Sequence, residues 1–188
     1  MDILSKYEAI VIGTSAGGLY ALKAILEKLP ADFPLPVITV QHRAKNERDL
    51  LEEILQNSCY LRIKQADEKE RIEPGTVYFA PADYHLLIEK DRTFSLSVEE
   101  HNNYSRPSID ILFETAAEAY REKLIGIILT GANHDGANGI KKISEYEGLT
   151  IAQNPATAQY PVMPQAAVNT KKIKYILELD TIAGFLLN

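Results

Sequence analysis

Short runs rich in Ile and Val alternate with stretches of helical period along this whole chain, and few folds can accept such an alternation. Helix-period stretches cover Leu19 to Leu29, Asp49 to Gln56, Ser108 to Tyr120, Gly139 to Glu147, Pro164 to Asn169 and Thr181 to Leu187. Apolar runs such as Tyr7 to Ile12, Pro36 to Val40 and Leu124 to Leu129 precede most of them, each too short for a helix and bounded by loop residues. Continuous apolar runs belong to strands buried on both faces. The pattern therefore predicts βαβ units in an α/β fold, a three-layer, doubly wound, mainly parallel sheet of Rossmann-like type. From Thr76 to Glu99 the alternation breaks: Thr76 to Phe79, Leu86 to Glu89 and Phe94 to Val98 follow one another without room for helices, and Asp91-Arg92 makes a tight turn. This predicts an antiparallel excursion at one sheet edge. No repeat or linker divides residues 1–188, which are expected to form one domain.

Between the first strand-like run and the first helix lies Gly13-Thr14-Ser15-Ala16-Gly17, a G-x-S-x-G turn. Small residues let the chain reverse sharply there, raising the serine oxygen above the sheet edge beside the free N–H groups of the coming helix. Such N–H groups, here those of Ala16 and Gly17, can hold an oxyanion. The same turn can instead cradle a phosphate, and Ser15 or Thr14 can simply cap the helix.

Partners follow other strands. Gln41 and His42 come directly after Pro36 to Val40, and Asp135 comes shortly after Leu124 to Leu129. Side chains just past the carboxyl ends of parallel strands gather on one edge, so a serine, an imidazole and a carboxylate are expected together there, the residue types of a charge-paired nucleophile. Each has a plainer alternative: His42 as a polar loop residue, and Asp135 as a cap of the following helix. His134 is the rival base, but its neighbour Asp135 should point the other way. His85 opens a strand-like run, and His101 lies in a polar loop with Asn102 and Asn103. Ser108 reads as the N-cap of a helix with Ile109, Leu112, Phe113 and Ala116 buried and Asp110 in the first turn. Arg106 is a candidate for contact with an acidic substrate.

The pieces Ile12-Gly13-Thr14-Ser15-Ala16-Gly17-Gly18, Val40-Gln41-His42, Pro74 to Pro81, Arg106 to Phe113, Ile128-Leu129-Thr130-Gly131 and Asp135-Gly136-Ala137 occur in that order, followed by Thr150 to Gln153 and Met163-Pro164. Together they resemble the catalytic domain of the CheB family of chemotaxis protein-glutamate methylesterases over essentially the whole chain. The resemblance implies a Ser-His-Asp triad at Ser15, His42 and Asp135. It also implies hydrolysis of glutamate γ-methyl esters on the cytoplasmic helices of methyl-accepting chemotaxis receptors, with deamidation of glutamines in some members. It requires no metal or organic cofactor. Met163 is a further substrate-binding candidate.

Three departures stand out. The family loop usually reads Gly-Met-Gly-x-Asp-Gly, whereas this chain has Gly131-Ala132-Asn133-His134-Asp135-Gly136. Its usual Gly-Met-Pro is Val162-Met163-Pro164, with Tyr160 nearby. Only Met1 to Tyr7 precede the first strand, where members usually carry a receiver domain. The expectation is an excised catalytic domain or a stand-alone protein that needs no phosphodonor.

Composition excludes other classes. A net charge of −6 argues against general nucleic-acid binding. The single cysteine, Cys59, cannot form an internal disulfide and reads as structural, and no apolar segment has membrane length. A cytoplasmic protein is expected, without membrane insertion. Arg43, Lys45 and Arg48 could meet an acidic receptor surface, although Glu47, Asp49, Glu52 and Glu53 partly cancel them. Two other functions stay open: a receptor-binding scaffold with reduced catalysis, and a phosphate- or nucleotide-binding module. The latter lacks a Walker lysine and the G-x-G-x-x-G spacing.

Overall fold

The computed structural model describes residues 3–42, 50–99 and 105–187. In chain order its strands are β1 (Ala9–Thr14), β2 (Val37–Gln41), β3 (Arg62–Gln65), β4 (Thr76–Phe79), β5 (His85–Ile88), β6 (Phe94–Ser97), β7 (Leu124–Ile128), β8 (Leu149–Gln153) and β9 (Tyr175–Leu177). Its α-helices are α1 (Gly18–Leu26), α2 (Leu50–Gln56), α3 (Ile109–Tyr120), α4 (Ala137–Glu145), α5 (Val162–Asn169) and α6 (Leu179–Phe185). Seven strands form one sheet in the order β3-β4-β2-β1-β7-β8-β9, parallel throughout.

Successive side chains of a strand face opposite ways, and the central strand β1 shows what that does here. Ile10 and Ile12 enter a core with Leu22 and Ile25 of α1, Leu55 of α2 and Ile182 of α6. Ala9 and Val11 enter a second core with Phe113 of α3, Ile140 of α4 and Ala167 of α5. Helices thus cover both faces, giving the predicted three layers. The stripe Ile109, Leu112, Phe113 and Ala116 is fully buried, as its spacing requires. Each large side chain in it contributes about 1.5–3 kcal/mol.

The antiparallel excursion is smaller than its sequence suggests. β4 pairs in parallel with both β3 and β2, inside the main sheet. Among the described residues β5 and β6 are the only antiparallel pair of strands, and they form a separate two-stranded sheet. It is tied to α3 by the Ile88 N–H, which donates to Thr115 Oγ at 3.1 Å. The reason lies in the connection from β3 to β4: parallel neighbours usually need a crossover helix, and here residues 66–75 cross without one. Asp91-Arg92 does form the tight turn, with Arg92 at φ 64° and its N–H donating to Glu89 O at 2.8 Å.

From β1 the sheet grows outward in one direction through β2 and in the other through β7. Ligands of open α/β sheets bind outside the carboxyl ends of strands at such a reversal. Ser15, His42 and the segment 129–136 follow β1, β2 and β7 at that point. No helix among the described residues is long and apolar enough to cross a membrane.

Candidate active site

The turn carrying Ser15 is held from three sides. Its N–H donates to Thr130 O at 3.0 Å, and its own carbonyl accepts from Gly18 N at 2.9 Å, closing the turn. Gly17 takes φ 79°, a left-handed conformation that suits glycine. Thr130 ties the turn to its surroundings: its carbonyl accepts from Thr14 Oγ at 2.7 Å, and its hydroxyl donates to Ala16 O at 3.0 Å and accepts from Tyr160 N at 2.9 Å. Gln41 spans the gap to β2, its Nε2 donating to Ser15 O at 2.8 Å and to His42 O at 2.9 Å. A Cβ on Gly18 would lie 1.8 Å from Gln41 Oε1, so the amide fits only because that residue is glycine. The N–H groups of Ala16 and Gly17 meet no acceptor among the described residues.

Opposite the turn, the His42 ring is bonded at both nitrogens. Nε2 lies 2.8 Å from Asp135 Oδ2, with the two side chains only 11% and 0% exposed. Asp135 also accepts from Ile109 N at 2.7 Å, Asp110 N at 2.9 Å and Ser108 Oγ at 3.2 Å. Burial works against its ionisation, yet the bonds from His42 and from the Asp110 and Ile109 N–H groups outweigh it and hold the carboxyl below its ordinary range. An ionised carboxylate only accepts, so the ring proton belongs on Nε2. Nδ1 faces the Asn133 amide, whose Nδ2 is 3.1 Å away. Asn133 Oδ1 meanwhile accepts from Asp135 N at 3.0 Å.

Ser15 and His42 line one cleft of about 1050 Å³. One wall beyond them is apolar, from Leu19 and Tyr20 of α1 to Leu50 and Ile54 of α2, while Lys23 and Gln159 add polar groups, and Tyr20 is 72% exposed. Among the described residues no hydrogen bond joins Ser15 Oγ to His42.

The sequence places several residues less well. Asp135 does not cap α4: the N-cap there is Gly136, and the Asp135 carboxylate instead sits on the first N–H groups of α3. Asp110 does the converse, accepting from Gly136 N at 3.0 Å and Gly139 N at 2.7 Å at the start of α4. Arg106 is not on the cleft. Its guanidinium makes bonds within the protein instead, from Nε and one terminal nitrogen to Asp83 Oδ1 and from the other to the carbonyls of Val98 and Glu99. Met163 is 1% exposed and packs in the core under Gly131, whose carbonyl accepts the Met163 N–H at 3.0 Å.

Ser108 is the expected N-cap of α3 and bonds Asp135 as well. His134 is exposed, away from the buried Asp135. His85 is fully buried, with Nδ1 accepting from Ser108 N at 3.1 Å. Burial raises the Cys59 thiol, away from the reactive range. Arg43, Lys45, Glu47, Arg48 and Asp49, and His101 with Asn102 and Asn103, lie outside the described residues. Glu52 and Glu53 fall in the first turn of α2. Sequence reasoning missed the parts played by Gln41, Thr130 and Asn133; the signal for the last was an Asx-type residue two before Asp135.

The family model for CheB methylesterase matches residues 10–186. A Leptospira interrogans protein provisionally named protein-glutamate methylesterase/protein-glutamine glutaminase is 54% identical over 178 residues, covering 95% of this chain and 92% of its own length. A protein-glutamate methylesterase/protein-glutamine glutaminase of Carboxydothermus hydrogenoformans is 38% identical over 94% of the chain, which spans only 53% of that protein. The crystal structure of the Thermotoga maritima CheB methylesterase catalytic domain superposes with a TM-score of 0.93 at 34% identity, covering 96% of this chain and 97% of that one. With the matched residues running from β1 into α6, the chain belongs to the CheB methylesterase family.

Proposed function

We propose that this protein hydrolyses γ-methyl esters on glutamate side chains in the cytoplasmic helices of methyl-accepting chemotaxis receptors, with Ser15 as nucleophile, His42 as base and Asp135 as the acid that orients it. One observation carries the assignment of roles: the 2.8 Å contact of His42 Nε2 with the buried Asp135, at a cleft that Ser15 also lines. With Nε2 committed to Asp135, Nδ1 is the nitrogen left to take the Ser15 proton. Ser15 Oγ attacks the ester carbonyl as its proton moves to Nδ1, and Asp135 stabilises the imidazolium. The proton then passes to the departing methoxide, releasing methanol and leaving an acyl-enzyme. Water, deprotonated by His42, attacks the acyl carbon, and the glutamate carboxylate leaves as Ser15 regains its proton.

Ala16 and Gly17, whose N–H groups have no acceptor among the described residues, are the candidate oxyanion hole. Each such donor is typically worth about 3–4 kcal/mol. The apolar wall of Leu19, Tyr20, Leu50 and Ile54 suits the apolar stripe of a receptor helix. Glutamine deamidation uses the same acyl intermediate with ammonia leaving. The protein acts in the cytoplasm, where those receptor helices lie.

A receptor-binding scaffold with reduced catalysis is the competing reading, and the occupied Nδ1 of His42 favours it. A fluorophosphonate separates the two. Labelling confined to Ser15, lost in Ser15→Ala, is expected of the hydrolase, whereas an unlabelled protein that still binds receptor would refute it.

A further inference from the structure

The proposed mechanism leaves one polar contact at the base unused. Asn133 bridges two groups: Oδ1 accepts the Asp135 N–H at 3.0 Å, and Nδ2 stands 3.1 Å from His42 Nδ1. The first bond decides the character of the second. An amide whose oxygen is engaged by a backbone donor turns its NH2 the other way, so Nδ2 donates into the Nδ1 lone pair. Nε2 is already committed to Asp135. Both ring nitrogens are therefore taken within the protein itself.

We propose that Asn133 is a positioning residue that holds the base: it occupies the Nδ1 lone pair of His42 in the unliganded protein, and Ser15 can be deprotonated only once that bond is given up. This rests on the reading of Ser15, His42 and Asp135 as nucleophile, base and acid. The argument is one of competition. An imidazole nitrogen of this kind has a single in-plane lone pair, and the Asn133 N–H and the Ser15 hydroxyl cannot both lie along it. The absence of a bond between Ser15 Oγ and His42 among the described residues is what such competition produces. Asn133 is half-buried beside Ala132, which is exposed, so its side chain stands near solvent rather than in the core. Rotation of the Asn133 side chain on substrate entry would free Nδ1 without disturbing the bond of His42 Nε2 to Asp135.

Asn133→Ser tests this. Serine keeps an oxygen for the Asp135 N–H but is too short to reach His42. Asn133→Gly removes both contacts and guards against a fault peculiar to one variant. The readouts are the rate at which a fluorophosphonate modifies Ser15 in the full chain, and the 15N signals of the His42 ring. Modification should quicken about fivefold, the factor expected from loss of one ordinary hydrogen bond. The Nδ1 signal should move toward that of an unbonded ring nitrogen while Nε2 keeps its proton. No acceleration in either variant overturns the proposal, and so does an unchanged Nδ1 signal. Failure to label wild type and variants alike would sink the triad reading instead, while the ring signals would still decide whether Asn133 holds Nδ1.

Discussion

Two helix beginnings meet at the carboxyl edge of the sheet, and they are finished in opposite ways. At α1 the turn residues Ala16 and Gly17 present N–H groups with no acceptor among the described residues, and they face the cleft. At α3 the first N–H groups are filled by the Asp135 carboxylate, with Ser108 as side-chain cap, and the site is closed to solvent. The physics at the two ends is the same, since both offer positive dipole ends and unpaired donors. What differs is who supplies the anion. At α3 it is a fixed residue of the protein, which thereby gains a rigid seat for His42. At α1 no residue among those described supplies it, as the oxyanion hole proposed there requires.

The open end is where the comparison is most easily broken. Ser15→Ala should cut methanol release from methylated receptor by about 10⁶-fold, and adding His42→Ala should cost little more, because the two act as a unit. Turnover near the wild-type level in Ser15→Ala would refute the assignment.

Asp135→Asn tests the closed end and should lower turnover about 10⁴-fold. It should also destabilise the fold by about 1–3 kcal/mol, because the amide turns a donor toward N–H groups that Asp135 now accepts from. A plain cap of α4 would have tolerated Asn, so urea midpoints of the variant check the seat on α3 directly. The acid side sharpens this. Asp135 titrates lower folded than unfolded, so its contribution is complete above the ordinary aspartate range and is lost as pH falls below about 4 toward the lowered value. Midpoints measured from neutral pH down through that window should fall in the wild type, and the variant should lack this share of the loss.

Gly18→Ala would push Gln41 away from Ser15 O and His42 O. A destabilisation of about 1–3 kcal/mol is expected from the clash, with turnover down about 10²-fold as the turn shifts. Ser108→Ala should have the smallest effect: about 1 kcal/mol in unfolding for the lost cap, and less than about tenfold in turnover because Asp135 keeps two backbone donors. A larger kinetic loss would mean that Ser108 does more than cap.

Helices α1, α3 and α4 were legible because each buries a stripe of regular period, and the central strands because they are apolar on both faces. β3 was not, since Arg62 is exposed and no helix separates it from β4. Arg106 looked free beside Pro107 because nothing local marks Asp83 or the carbonyls of Val98 and Glu99 as its partners. Met163 was a substrate-binding candidate through the family resemblance, and nothing local marks that its sulfur packs against Gly131, far away in sequence.

By itself the sequence determined the parallel α/β layering and the positions of Ser15, His42 and Asp135 just beyond strand ends, for these follow from local periodicity and chain order. Only the tertiary structure decided that Asp135 seats on α3 while Asp110 seats on α4, and that Asn133 reaches the ring of His42. The first exchange joins residues 25 to 29 apart in the chain and the second spans 91. A hydrogen bond is made or lost over a few tenths of an ångström, a precision set by how the helices pack against the sheet and absent from any pattern of residue types.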